Sequence, residues 1–395
     1  MRRTGNFLPL LLLLISVDEL CTNFIFNTFD NLGRYWESAF YFGFLVIQIV
    51  AAPIQSGFSD FYLRKKSLIV SLIFSALGLF LTVFYVENMI IPLCFLALAV
   101  IIKGVMGNTL PIAWAGMADT QINNFRFSFG LSTAAIALGY LGLLFLMKFF
   151  SESKNIFIIL VMILVSLYLC KALFYDTKDS DAAKRKEPLT YSKFAELVKR
   201  ELKLIYDRFL GVSLVRNGLM TFFFWELSFY APHVLDIDLG LKQFKYIALS
   251  MILGYLSGVI FVRVALMKKS DSQLIKSGFI LSILSILPIV IFSHSVSEIR
   301  YLMMPCYFVY SAGAAFLVPS LFSILLKKHQ PHEQGKLCGL MDSTDTFAFL
   351  AAVIFAFVYK NINLNQVYVA YFSLIIFVIS VYAYYRFAKL NKQNA

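Results

Sequence analysis

Charge is scarce in this chain of 395 residues: 15% are Asp, Glu, Lys or Arg, against about a quarter in an ordinary soluble domain. Together with 59% apolar residues, that scarcity excludes a conventional water-soluble globule. Cysteine is sparse too. The five present (Cys21, Cys94, Cys170, Cys306, Cys338) have no metal or redox spacing and read as small packing residues. No glycine-rich loop ending in Gly-Lys-Ser or Gly-Lys-Thr occurs, which argues against direct use of ATP. The four histidines (His233, His294, His329, His332) fall in loops or at span ends, so a membrane-embedded enzyme built on an intramembrane His is a remote reading. His329-x-x-His332-Glu333 has a metal-like spacing but lies in a basic loop; neither a metal nor a cofactor is expected. The apolar run after Arg2 and Arg3 is broken by Asp18 and Glu19 and offers no small-residue cleavage site, so no signal peptide is expected. Cys21, preceded by Asp-Glu-Leu, does not look like a lipoprotein site.

What is abundant is apolar sequence in continuous runs. Phenylalanine alone accounts for 41 residues, as suits a lipid-facing surface. A spanning helix needs about 20 mostly apolar residues. Lipid satisfies no backbone polar group, so spans are helices or closed barrels, and runs that do not alternate argue against a barrel. Twelve helical spans are expected, at roughly 7–29, 38–59, 67–86, 90–117, 128–150, 155–175, 208–231, 243–266, 274–294, 299–326, 337–359 and 366–388. The net charge of +12 is then no nucleic-acid signal. Basic residues gather on one side of the spans (Arg2-Arg3, Arg64-Lys65-Lys66, Arg126, Lys268-Lys269, Lys327-Lys328, Lys389, Lys392), which places both termini in the cytoplasm.

The one long polar stretch, 176–207, divides the chain into an N-terminal bundle (1–175) and a C-terminal bundle (208–395), six spans each. Phe194, Leu197, Val198 and Ile205 give its second half the pattern of an amphipathic helix on the cytoplasmic membrane face; a solvated linker is the alternative. The halves look like weak repeats. Gly107-x-x-x-Pro111 with Gly130 is echoed by Ala315-x-x-x-Pro319 with Gly339. Paired six-helix halves are a transporter design.

Charges within the spans are few and clustered. Asp18 and Glu19 lie in span 1, Lys103 in span 4, Arg216 and Glu226 in span 7, and Asp342 and Asp345 in span 11. An ionised group at the bilayer centre costs about 2.5–3.5 kcal/mol on insertion scales and usually faces a cavity or a partner. Asp342 and Asp345 share a helix face, whereas Asp18 and Glu19 point about 100° apart. These residues are candidates for proton coupling or substrate contact. The competing reading is a structural ion pair of Lys103 with Asp18 or Glu19. Gln48, Asn108, Trp225, Tyr255 and Tyr310 are further cavity candidates, although membrane aromatics are more often packing residues or interface anchors.

The loop after span 2, Ser56-Gly57-Phe58-Ser59-Asp60-Phe61-Tyr62-Leu63-Arg64-Lys65-Lys66, resembles the signature loop of the major facilitator superfamily. Asp60, Arg64 and Lys65 fall on the pattern; Ser56 and Leu63 stand where Gly is usual, and Phe61 where a base is usual. Lys103-x-x-x-Gly107 is similar to a base-then-glycine pattern in span 4 of proton-driven members, with Lys in place of Arg. The resemblance implies a monomeric all-α transporter of bacterial type, in the inner membrane, with two pseudo-symmetric six-helix bundles. It implies that Asp60 caps a neighbouring helix end and, with Arg64 and Lys65, latches one conformation. Spans 3, 6, 9 and 12 are peripheral in that family, and here they carry charge only near their ends. The expected activity is proton-coupled secondary transport of a small polar solute such as an amino acid, a metabolite or a carboxylate-type chelator. The alternative is efflux through a more apolar cavity, to which Phe222–Trp225 would contribute; a non-transporting receptor is remote.

Overall fold

The computed structural model describes residues 7–29, 32, 34–61, 63–86, 92–121, 124–174, 240–265, 269–291, 296–328 and 334–362, and five positions beyond them. Eleven helices are described: α1 (Leu8–Phe29), α2 (Arg34–Phe61), α3 (Arg64–Val86), α4 (Pro92–Met106), α5 (Leu110–Gln121), α6 (Phe125–Phe149), α7 (Glu152–Leu173), α8 (Gly240–Val264), α9 (Asp271–Ile291), α10 (Val296–Lys328) and α11 (Gln334–Ile362). Ten of the twelve expected spans are therefore helical, α4 and α5 together making the fourth. Among the described residues seven segments, with α4 and α5 counted together, are long and apolar enough to cross a membrane. The expected span 7, the linker 176–207, and with them Arg216, Trp225 and Glu226, lie outside the described residues. Of span 12 only Ile375, Val378, Ile379, Tyr382 and Tyr385 are described; they are helical and exposed, at the spacing of one helix face.

Most helices start about three residues before their expected apolar runs. Arg64, Asp271 and Gln334 each open a helix, because polar residues serve well in a first turn whose N–H groups still need partners. Pro92 opens α4, where its missing N–H is no loss.

The chain forms two compact units. The first comprises Met1–Leu202 with His329–Ser343, the second Lys203–Lys328 with Thr344–Ala395. The first stretch of α11 thus packs within the first unit. Helix contacts in lipid rely on small residues that let backbones approach. In the first unit Gly139 of α6 faces α1 so closely that a Cβ would lie 2.6 Å from the Ser16 carbonyl oxygen. Beside it the Ser16 hydroxyl donates to the Ala135 carbonyl at 2.9 Å. Trp114 of α5 donates its indole N–H to Ser132 of α6 at 2.8 Å. In the second unit α10 is gripped on two sides. Gly258 of α8 abuts Ala312, and Gly278 of α9 abuts the Gly313 carbonyl.

Candidate functional site

The fourth span is not one helix. α4 ends at Met106, α5 begins at Leu110, and Gly107, Asn108 and Thr109 between them are unwound. Inside a membrane, unwound backbone must be satisfied by protein. Here the partners come from four helices. Gln55 of α2 donates its side-chain amide to the Met106 carbonyl at 2.5 Å. Ser75 of α3 and the Lys103 ammonium both reach the Gly107 carbonyl, at 2.8 and 2.5 Å. The Thr109 N–H donates to Asp18 Oδ2 of α1 at 3.0 Å, and the Leu110 N–H to Asn108 Oδ1 at 3.2 Å. Ser71 and Thr109 share a hydroxyl contact of 3.0 Å. Gly107 is required by this geometry: a Cβ there would fall 2.7 Å from the folded-back Lys103 side chain.

At the centre of these contacts lies an ion pair. Lys103 Nζ is 2.5 Å from Asp18 Oδ1 and both side chains are almost fully buried. Ser75 adds a hydrogen bond to the same oxygen at 2.8 Å, and Lys103 a further one to the Ser75 hydroxyl at 3.0 Å. Asp18 therefore accepts from Lys103 and the Thr109 backbone, the single Ser75 proton is shared between Asp18 and the Gly107 carbonyl, and all three donor bonds of Lys103 are used. A buried pair with its remaining hydrogen-bond capacity filled is the arrangement that offsets desolvation best.

Two more carboxylates stand nearby. Asp342 of α11 is buried and accepts the Asn108 side-chain amide at 2.6 Å. Glu19 is half-buried and within electrostatic reach of Asp18, Lys103 and Asp342, but its carboxylate makes no hydrogen bond or ion pair among the described residues. Among the described residues, three acids thus stand near one ammonium that is already engaged. Asp345 lies one turn beyond Asp342 and is half-buried; Gln48 and Tyr255 are half-buried, and Tyr310 is buried in the second unit. Of the sequence candidates, then, Asp18, Glu19, Lys103, Asn108 and Asp342 come together in one place.

A second network joins α2, α3, α5 and the start of α11. Arg64, fully buried, places its guanidinium between Asp60 at 2.7 Å and Asp119 at 2.9 Å, and also contacts the Ser59 hydroxyl. Asp60 in turn accepts the backbone N–H groups of Gly335 and Lys336 at the N-terminus of α11, each at 3.0 Å. Carboxylates are favoured there by the unpaired amides and the helix dipole. The close approach depends on small residues of α11: Gly335 and Gly339 both lie against Ser56. Lys65, the third latch candidate, is exposed at its tip and donates to the Lys171 carbonyl at 2.7 Å.

Asp119, Ser75 and Thr109 are not among the sequence candidates. Asp119 has a readable signal all the same. Arg64 opens span 3 and Asp119 closes span 4, and antiparallel neighbours bring such ends together. The second unit has the same tie with its signs exchanged. Asp271 opening α9 pairs with Lys327 closing α10 at 3.1 Å.

Substitutions in the Arg64 network have measurable consequences. Asp60→Asn leaves both α11 amides without a charged acceptor, one of them with no acceptor at all, and Arg64 with one carboxylate. Charge-assisted bonds contribute about 1.5–3 kcal/mol each, so the melting temperature of the purified protein drops clearly. Arg64→Lys lowers it similarly, because an ammonium cannot span the fork. Lys65→Gln leaves it within about 0.5 kcal/mol of the parent. Equal melting of all three variants contradicts the assignment.

Comparison with known proteins agrees with this architecture. A family model described as Major Facilitator Superfamily matches residues 35–353. No curated protein matches the chain. Among solved structures, the human organic anion transporter MFSD10 is similar at a TM-score of 0.74 and 17% identity, covering 97% of this chain and 100% of that one. The Escherichia coli fucose:proton symporter FucP is similar at 0.68 and 14%, covering 97% and 99%. A bacterial homologue of the iron transporter ferroportin, in its outward-facing state, is similar at 0.70 and 12%, covering 98% and 100%. At these identities the likeness speaks for the fold.

Proposed function

This chain belongs to the Major Facilitator Superfamily, and from that premise we propose that it is a proton-coupled secondary transporter of a small polar solute. The observation that carries the reading is the excess of acid, among the described residues, at the break in span 4. Asp18 and Lys103 neutralise one another. Glu19 then stands at lipid depth without a base among the described residues, beside Asp342, which the neutral Asn108 amide holds. Acids in that position mark proton or ion pathways, because a bound proton or cation relieves their charge. Asp18 is accordingly assigned to structure rather than to coupling, and Lys103 with it. Asp345, on the same face of α11 as Asp342, is the remaining coupling candidate.

Asn108 connects the two roles. It sits in the unwound stretch that Asp18 holds through Thr109, and its amide donates to Asp342. Protonation of Asp342 weakens that hydrogen bond by removing the acceptor charge, which loosens the tie between span 4 and α11. Such ties are what alternating access must make and break. The Asp60 clasp on the start of α11 is proposed as a latch that favours the conformation in which it is formed. Positive loop charge supports cytoplasmic termini and an inner membrane of a bacterial-type cell as the setting. That one structural neighbour is a fucose:proton symporter is in keeping with proton drive.

The solute follows from the same balance. With its ammonium engaged, the described side of the site offers carboxylate and amide groups, which suit a solute carrying an amino group beside other polar groups. A panel of amino acids, amines, sugars and carboxylate chelators in proteoliposomes, with and without an imposed pH gradient, tests this. Gradient-stimulated flux of at least one polar amine-bearing solute is expected. Flux that ignores the gradient for every solute moved would refute proton coupling.

A further inference from the structure

The second unit carries a surface feature that shares no residue with the site proposed above. A groove of about 550 Å³ opens between α8, α9 and α10, with Ser257, Gly258, Phe261, Ile280, Ala312 and Phe316 in its lining. Its floor exists because Gly258 and Ala312 are small and their backbones touch. One wall is formed by the stacked rings of Phe261 and Phe316, with centroids 6.1 Å apart and planes within 7° of parallel. Phe261 and Ile280 are more than half exposed. In a membrane-spanning segment, that exposure is to hydrocarbon, so an acyl chain lies at the mouth of the groove. Its volume falls in the range of roughly 300–1,000 Å³ over which protein pockets enclose organic ligands.

Position along the bilayer narrows the occupant. The groove residues of α8 lie within two turns of its end at Val264, and those of α9 begin six residues after its start at Asp271. By the distribution of loop charge this is the cytoplasmic half of the membrane. Lys276 is exposed and sits one turn before Ile280 on the same face of α9. Its side chain leans toward the helix N-terminus, which is the membrane surface. Among the described residues Lys276 makes no ion pair, whereas the neighbouring acid, Asp271, is engaged by Lys327. Arg263, near the end of α8, and Lys269, just before α9, are exposed as well. A cation above an apolar groove fits one molecule that is both chain and anion.

We propose that this groove is a binding site for an anionic phospholipid of the cytoplasmic leaflet, one acyl chain lying along Phe261 and Phe316 and the phosphate meeting Lys276. The full-length protein, purified and exchanged into mild detergent, is titrated with phosphatidylglycerol or phosphatidylcholine of matched chains, and bound lipid is counted by native mass spectrometry. Phosphatidylglycerol is expected to bind more tightly. Lys276→Gln removes about fivefold of that affinity, as expected for one basic residue at an anionic surface, and leaves phosphatidylcholine unchanged. Ser257→Phe fills the groove at its exposed lip and weakens both lipids. Equal binding of the two lipids by the parent protein overturns the proposal. So does a folded Ser257→Phe protein that binds as before, or a dimer that this variant disperses, since the groove would then hold a second copy of the chain. The parent comparison stands even if a variant misfolds.

Discussion

Lys103→Met is expected to be the most damaging single substitution in the first unit, and adding Asp18→Asn to it is expected to restore most of what is lost. Lys103 and Asp18 are paired at 2.5 Å with almost no solvent contact. Taking away the ammonium leaves a carboxylate at lipid depth with only Ser75 and the Thr109 N–H to hold it. Removing one partner of a buried pair costs about 3–5 kcal/mol, because the other charge stays buried without compensation. Removing both charges is often close to neutral when the shapes are kept. The Gly107 carbonyl still has Ser75 in the double variant, so the unwound stretch is not stripped of its donors. A thermal-melting cycle of the parent, two single variants and the double variant measures this. A strongly favourable coupling between the two sites is expected; additive losses would mean that each charge serves a separate partner.

Glu19→Gln and Asp342→Asn are expected to leave the fold intact and abolish concentrative uptake. Glu19 has no base among the described residues, Asp342 is held by the amide of Asn108, and glutamine and asparagine keep the shape of the acids. A pH step of one unit supplies about 1.4 kcal/mol per proton, enough for about tenfold accumulation of a solute carried with one proton. A variant that has lost its coupling carboxylate falls to onefold while still exchanging labelled for unlabelled solute across the membrane. Accumulation near tenfold in both variants would move coupling elsewhere, with Asp345 the next group on that face of α11.

How much of this is readable in the sequence depends on which physical signal is followed. The apolar runs place ten spans that the helices reproduce, because length and hydropathy in lipid leave little choice of structure. They place the beginnings late, since Arg64, Asp271 and Gln334 belong to the helices although they are polar. The superfamily loop is legible through Asp60 and Arg64, in spite of its departures. The structure gives the departure at Ser56 a rationale: the small residues that permit close approach are on the facing helix, at Gly335 and Gly339.

The break in span 4 is not legible. Gly107-x-x-x-Pro111 and Ala315-x-x-x-Pro319 look like equivalents, yet α4 and α5 are separate helices while α10 runs unbroken through Pro319. A proline pattern leaves the choice open. Asp18, Lys103, Ser75 and Gln55 decide it by supplying partners for the freed backbone groups, and all but Lys103 come from distant parts of the chain. The ion pair itself is visible in the sequence only as the competing explanation for Asp18 and Lys103. Which of two adjacent acids, Asp18 or Glu19, faces the lysine depends on helix rotation, which packing sets. Gly139 of α6 helps fix α1 in that rotation by lying against Ser16, Glu19 and Leu20.

Proton exchange on solute binding separates a carboxylate that fastens the fold from one that does the coupling. In weakly buffered detergent solution with a pH dye, adding a transported solute to the parent protein is expected to shift the dye signal, and the Asp18→Asn/Lys103→Met protein is expected to retain that shift. The Glu19→Gln/Asp342→Asn protein is expected to bind the solute with no shift at all. A shift that vanishes with the Asp18 and Lys103 charges but persists without Glu19 and Asp342 would contradict this division of roles between the two pairs.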